Sequence, residues 1–347
     1  MMRNGLAALL TLAVLTAGSS ASWAEPRRTI LSFADLQGWA QDDHAKALEA
    51  FRITCGDMAG PDWRAVCGLA KTGPDARQFF ELFFRPVLIE DGAKMLFTAY
   101  FEPELKGSRT RTERYKYPVY RKPPELTEGE IWHTRKDIES GSVMSGRGLE
   151  IAWVDDPAAL TFMQVQGSGR IRLTDGTVIR LGYAASNGRK YRSIGKTMVS
   201  RGIYNPHQVS AKVISNWVRR NPARGQQILW TNPSYVFFRV LRNAGAEPGP
   251  RGAMNRPLTP RRSLAVDRDF MPLGAPVWIE KSGANPMRRL MVAQDTGSAI
   301  RGAQRADIFM GTGDAAGYAA SHIRDGGRMI VLMPIEMAFA TAWDPAR

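Results

Sequence analysis

Three short apolar runs near the C-terminus each carry an aspartate, and they constrain the fold more than any other feature of the chain. They are Ser263-Leu264-Ala265-Val266-Asp267, Met291-Val292-Ala293-Gln294-Asp295-Thr296-Gly297 and Arg305-Ala306-Asp307-Ile308-Phe309. Each reads as a strand with a carboxylate at its end. A strand that stops at a carboxylate holds that group on a rigid scaffold, as a catalytic acid requires. The whole chain has only four histidines, so carboxylate chemistry is the expectation.

Helical and extended periodicity alternate along the chain. Residues 25–32 read as an extended lead. Phe33 to Phe84 is helical: Leu48, Phe51 and Cys55 recur at helical spacing, as do Phe79, Leu82 and Phe83. Pro61 starts one helix and Thr72-Gly73-Pro74 ends it. Strand character appears at Val87 and is clear from Met95 to Phe101. Residues 106–128, rich in Arg, Lys, Thr and Pro, read as a connection between domains. Strands are expected at Leu149–Val154, Leu160–Gln166, Arg170–Leu173 and Thr177–Leu181, the last two joined by the hairpin signal Asp175-Gly176. Their shortness and their glycine turns fit a small barrel or sandwich. Helix returns at 207–229, interrupted by Pro222, and a strand at Tyr235–Leu241. Further strands follow at 262–266, 275–280, 288–294 and Met329–Met333, with a short helix in Gly313–Arg324. The layout predicts a domain built from 25–105 and 234–347, interrupted by an inserted β domain at 106–233. A cleft between two such domains is a natural ligand site.

The N-terminus has the form of an export signal. Arg3 precedes the apolar run Leu6–Ala17, and Ser22-Trp23-Ala24 reads as a small-residue cleavage site. Removal of residues 1–24 is expected, which places the protein in the periplasm. The apolar run is shorter than the roughly 20 residues that span a bilayer, and no later stretch is a candidate. No cysteine lies near the cleavage site for lipid attachment. About 320 residues remain, enough for two domains. The formal charge of +14 and pI of about 10.1 favour polyanions. For an exported protein that means anionic wall polymer or lipid head groups before nucleic acid, for which no recognisable module is present. Cys55 and Cys67 are expected to bridge a helical hairpin in an oxidising compartment.

Common motifs are excluded on their spacing. Gly188–Thr197 ends like a phosphate loop in Gly195-Lys196-Thr197, but Lys190 stands where the first glycine must be. Gly167-Ser168-Gly169 lacks the frame of a nucleophile elbow. His44, His133, His207 and His322 are scattered with no metal-ligand spacing, so neither a metal nor another cofactor is expected. A polar and aromatic set in the middle of the chain is more informative. Gln164, Gln166 and Ser168 alternate along the expected strand and its exit, and Tyr183, Ser186 and Asn187 follow. Amides, hydroxyls and a flat ring suit a sugar, whose C–H face stacks while its hydroxyls are hydrogen-bonded. Thr98, Tyr100 and Glu102 alternate in the same way. Among the aspartates, Asp295-Thr296-Gly297 also reads as turn chemistry, and Asp267 precedes a loop. Asp307 lies among apolar neighbours that would raise its pKa, which makes it the favoured acid ahead of Asp295 and Asp267.

At these residues the chain resembles the membrane-bound lytic transglycosylase A (murein transglycosylase) type. The likeness rests on Thr98-Ala99-Tyr100-Phe101-Glu102-Pro103, Phe162–Gly169, Gly182–Gly188 with Tyr191 and Ser193-Ile194-Gly195, and a closing module named for three aspartates, matched by Asp267, Asp295 and Asp307. It implies a double-psi β-barrel interrupted by a second small β-barrel, with glycan bound in the groove between them. It also implies Asp307 as the catalytic residue, with Asp295 and Asp267 in support. The absence of a lipid-bearing cysteine departs from many members of the family.

The function implied is cleavage of the β-1,4 bond between N-acetylmuramic acid and N-acetylglucosamine in peptidoglycan, leaving a 1,6-anhydro end. The expected partners are glycan strands, with proteins of wall synthesis or division as further candidates and a peripheral place at the outer membrane. Two alternatives stay open. One is a hydrolase with Asp307 as acid and Asp295 as base for water. The other is a wall-binding protein without catalysis.

Overall fold

The computed structural model describes residues 26–141, 143–241, 249–297 and 299–340. The expected export segment, with cleavage after Ala24, lies outside the described residues. The extended lead is strand β1 (Arg27–Ile30), paired antiparallel with β2 (Phe84–Glu90). Three helices lie between them: α1 (His44–Cys55), α2 (Pro61–Lys71) and α3 (Ala76–Phe83). Their starts are written in the sequence. The Asp43 and Asp75 side chains accept from the Lys46 and Gln78 amides, and Pro61 occupies the first turn of α2, where its missing N–H costs nothing. Leu48, Phe51 and Cys55 all turn into the core. The rings of Phe79, Phe80 and Phe84 stand 6.0–6.3 Å from that of Phe51, where tilted and edge contacts add to the burial.

A disulfide joins Cys55 to Cys67, with Cα atoms 5.5 Å apart, and staples α1 to α2. Closing a loop of this length in the unfolded chain stabilises the fold by about 3 kcal/mol. The double replacement of both cysteines by serine is therefore expected to lower the unfolding free energy by that amount and so to move the urea midpoint down. An unchanged midpoint would show that packing alone holds the hairpin.

The chain then passes from one sheet to another. Strand β3 (Leu96–Glu102) belongs with β1 and β2. One residue later β4 (Glu104–Ser108) opens a six-stranded sheet completed by β5 (Tyr117–Tyr120), β6 (Glu150–Val154), β7 (Gly169–Leu173), β8 (Val178–Ser186) and β9 (Val236–Val240), in the order β5-β6-β4-β7-β8-β9. The second sheet thus takes in residues on both sides of the expected 106–233 insert. The stretch 106–128 is not a plain connection, because it contains most of β4 and all of β5. The Asp175-Gly176 hairpin joins β7 to β8 as expected, with Gly176 at φ +82°, where only glycine is free of strain.

The remaining strands return to the first sheet: β10 (Ser263–Val266), β11 (Pro276–Lys281), β12 (Met287–Asp295), β13 (Arg305–Thr312), β14 (Arg324–Asp325) and β15 (Gly327–Pro334). The order β1-β2-β15-β11-β12-β10-β13-β3-β14 wraps into a nearly closed barrel. Two parallel neighbours, β3 with β13 and β10 with β12, sit among antiparallel ones. Every residue of β10 and β11 is buried. Inside and outside are both covered, so Leu264–Val266 and Pro276–Ile279 read as apolar runs without alternation.

One expected strand is a helix. Leu160–Gln166 lies within α5 (Pro157–Gln166), one of five α-helices among the described residues of the inserted region with α4 (Arg135–Glu139), α6 (Ile194–Ser200), α7 (Ala211–Arg220) and α8 (Pro222–Leu229). The Asp156 carboxylate accepts from the Ala158 and Ala159 amides, Pro157 opens the helix, and Gly167 closes it in the left-handed region. Those caps outweigh the β-favouring Thr161, Phe162 and Val165 between them. Pro222 separates α7 from α8, as its ring forbids an uninterrupted helix.

Candidate active site

The register of the barrel collects the carboxylates on one face. In β3, Thr98, Tyr100 and Glu102 alternate onto the same side. In the parallel neighbour β13, Asp307 sits opposite Thr98. Asp307 is the third residue of β13 and not a strand end, so the expectation that all three aspartates terminate strands is corrected for this one. Asp295 does end β12, and Asp267 directly follows β10. Asp307 needs an interior position because its partner Thr98 is reached only through strand pairing.

The three carboxyls have different surroundings. Asp267 is buried, accepting from the Gly302 amide at 2.8 Å and pairing with Arg301 at 3.4 Å. It ties down the loop between β12 and β13 and is not among the residues lining the groove beside Asp295. Asp295 accepts three hydrogen bonds: from the Tyr100 hydroxyl at 2.8 Å and from the Ala253 and Thr296 amides, each at 2.9 Å. Burial pushes its carboxyl up to about 6 despite those donors, and the neighbouring Asp307 pushes the same way. Asp307 is half-buried and accepts one hydrogen bond among the described residues, from the Thr98 hydroxyl at 2.6 Å. Burial raises its pKa, opposed by Thr98 and by the Arg305 charge. Tyr100 stands between the two acids, its phenol raised well above the usual range by burial and by both carboxylates. Of these three, Asp307 combines a raised pKa with an oxygen that accepts no hydrogen bond among the described residues, which is what proton transfer to a ligand requires.

A groove of about 1050 Å³ lies beside this cluster. Tyr100, Asp295 and Ala253 line it from the barrel, and Gln164, Gln166, Ser168 and Tyr183 from the inserted sheet and helices. Asp307, on β13 opposite Thr98, is not one of its lining residues; Thr98 stands two residues before the groove-lining Tyr100 on β3. Gln164, Gln166 and Ser168 reach the groove as the C-terminal end of α5 and its exit, not as a strand face. Gln166 also accepts from the Phe101 amide at 3.2 Å, fastening the helix end to β3. Tyr183 is exposed and donates to Glu128 at 2.5 Å.

Two expected sugar ligands are structural. Glu102 is fully buried: its carboxylate meets Arg170 at 2.9 Å and Arg180 at 3.1 Å, and accepts from Thr312 at 2.7 Å. It stands where the chain leaves β3 for β4, so it clamps the two sheets together. Asn187 is also fully buried. Its amide donates to the His133 and Pro233 carbonyls, both at 2.8 Å, and its oxygen accepts from the Tyr235 amide. All of its groups are used in holding two loops. Alternation in sequence gives the face of Glu102 but not the element that covers it, and it gives no face for Asn187.

Other groove residues escaped the sequence reading. Glu128, Arg189 and Lys190 line the cavity from segments with no periodic signal, and Arg239 lines it from β9, within an expected strand. Arg305 went unremarked although its position two before Asp307 on a strand places both on one face. Among the described residues, no group of three or more His, Cys, Asp or Glu side chains is arranged to hold a metal ion. No described helix is long and apolar enough to cross a membrane.

Comparison with known proteins agrees with this architecture. Residues 96–239 match the model of the MltA specific insert domain and residues 262–333 that of the 3D domain. The membrane-bound lytic murein transglycosylase A of Vibrio cholerae is 34% identical over 246 residues, which are 68% of this chain and 64% of the relative. The aligned part thus spans under two thirds of that relative. The crystal structure of MltA from Neisseria gonorrhoeae covers 88% of this chain and 92% of its own, at 33% identity and a TM-score of 0.79. That of Escherichia coli MltA with bound chitohexaose covers 90% and 93%, at 29% identity and a TM-score of 0.71.

Proposed function

The chain belongs to the membrane-bound lytic murein transglycosylase A family, and from that premise we propose that it cleaves the β-1,4 bond between N-acetylmuramic acid and N-acetylglucosamine in peptidoglycan without consuming water. The observation that carries this reading is the contrast between the two acids beside the groove. Among the described residues Asp307, raised by burial, has a single donor, whereas Asp295 is held by three. A lone carboxyl that serves first as acid and then as base suits an intramolecular reaction.

Asp307, protonated, gives its proton to the glycosidic oxygen while the bond to the anomeric carbon of the muramic sugar breaks. The transition state has oxocarbenium character. The C6 hydroxyl of the same sugar then bonds to that carbon, and its proton passes to the Asp307 carboxylate. The carboxyl is thereby regenerated and the product ends in a 1,6-anhydro ring. Because the nucleophile is part of the substrate, no second carboxylate is needed to activate it. Asp295 and Tyr100 form the wall on which the sugar is seated. The groove's amides, hydroxyls and Tyr183 ring supply the mixture of stacking and hydrogen bonding a glycan needs. The bound chitohexaose of the Escherichia coli relative supports a glycan chain as occupant. The two-sheet division supports a catalytic barrel interrupted by a glycan-binding insert, here with strands from Glu104 to Val240. The expected export signal and the membrane-bound relatives support a periplasmic site of action at a membrane-associated wall.

The experiment is digestion of purified sacculi followed by mass spectrometry of the fragments. The expected muramic ends are lighter by one water than hydrolysis products. Ends that carry the water would instead assign Asp307 as acid and Asp295 as base in a hydrolase. Binding to sacculi with no soluble fragments would leave a wall-binding protein.

A further inference from the structure

We infer that Arg305 and Thr98 form a positioning relay that fixes which oxygen of Asp307 carries the acidic proton; this rests on the reading of Asp307 as the proton donor. The Arg305 guanidinium donates to the Thr98 hydroxyl oxygen at 2.8 Å, and that hydroxyl lies 2.6 Å from Asp307 Oδ1. Arg305 is itself held, donating to the Ala306 carbonyl at 2.5 Å and the Leu96 carbonyl at 3.3 Å. A guanidinium has donors and no acceptor, while a hydroxyl has one hydrogen and two lone pairs. With one lone pair occupied by Arg305, the Thr98 hydrogen finds its acceptor in Asp307. If Oδ1 carried the proton and donated to Thr98 instead, the hydroxyl would receive two donors and its own hydrogen would lose its partner. Such a half-satisfied network is costly where water is scarce.

The consequence is directional. Oδ1 accepts in both protonation states, so the exchangeable proton sits on Oδ2, the oxygen that no described side chain or amide satisfies. The acid is thus presented with its proton already aimed, and after the transfer Oδ2 is again the oxygen that recovers one from the C6 hydroxyl. Nothing rotates between the two steps, which is the preorganisation that an acid acting twice on one sugar needs. Strand pairing makes the relay rigid: Thr98 is opposite Asp307, and Arg305 is opposite Leu96. Arg324, on β14, is opposite Thr98 on the other side.

The test compares Thr98→Val, Thr98→Ser and Arg305→Gln on soluble glycan strands across pH. The charged and titratable groups around Asp307 are Arg305 on its own strand, Tyr100 on β3, Asp295 on β12 and Arg324 on β14, of which the relay variants alter only Arg305. Asp307 must be protonated when substrate arrives, so activity falls as pH rises through its pKa. The Thr98 hydroxyl and the Arg305 charge both favour the ionised form, so removing either raises that pKa and moves the alkaline limb to higher pH. Thr98→Val is expected to lower kcat about 10- to 100-fold with KM little changed, and to show that upward limb. Thr98→Ser, which keeps the hydroxyl, is expected to restore both rate and limb. Arg305→Gln is expected to move the limb in the same direction. A Val variant with parental kcat, or a Ser variant that fails as Val does, overturns the relay. So does a limb left in place by Arg305→Gln, which also decides the matter should the Val variant not fold. The underlying assignment fails separately, through an Asp307→Asn variant that retains turnover.

Discussion

Replacing Asp307 by asparagine is expected to lower the release of soluble fragments from sacculi by at least about 10³-fold, because both proton transfers lose their only carrier. The substitution is close to isosteric. The asparagine carbonyl oxygen can still accept from Thr98, which donates to Oδ1 at 2.6 Å in the parent. The barrel and the groove should therefore persist, and co-sedimentation with sacculi should be kept while turnover is lost. Asp295→Asn gives the contrasting arm. Asp295 accepts from Tyr100, Ala253 and Thr296, and its replacement disturbs the seat of the sugar without removing the proton donor, so a partial loss is expected. Parental activity in Asp307→Asn, with abolished activity in Asp295→Asn, would exchange the two roles.

The second large effect concerns stability. Glu102→Ala is expected to destabilise the fold by about 3–5 kcal/mol, the usual consequence of removing one partner from a buried ion pair. Arg180 has 5% of its side chain exposed and the Glu102 side chain none, so the arginine would stay charged and buried after losing this carboxylate. Arg170, at 24%, regains solvent more easily. Because Glu102 stands at the passage from β3 to β4, the loss should also loosen the barrel against the inserted sheet. Urea unfolding followed by tryptophan fluorescence measures the change in stability. A parental midpoint together with a raised KM for glycan would mean that Glu102 is a sugar ligand after all, against its complete burial.

Much of the architecture was legible in local patterns. Pro61, Pro222 and Asp175-Gly176 act through backbone restrictions that travel with the residue, so they fall where expected whatever surrounds them. The misread Leu160–Gln166 stretch shows the limit. Its β-favouring residues pointed to a strand, while the cap signals Asp156-Pro157 and Gly167 at its two ends pointed to the helix that forms. Glu102 and Asn187 show a different limit. Alternation gives the face of Glu102, and composition alone marks Asn187, but the arginines at 170 and 180 and the loops around 133 and 233 that enclose them come from distant parts of the chain.

The aspartate-bearing strands, the hairpin of helices tied by Cys55 and Cys67, and the supply of amides and rings for a sugar are properties of short stretches and follow from local residue order. What distinguishes the three acids was decided only by the tertiary structure. The donor to Asp307 lies 209 residues away, and two of the donors to Asp295 lie 195 and 42 residues away. A carboxyl takes its pKa from burial and from its donors, and strand pairing across the insert assembles both.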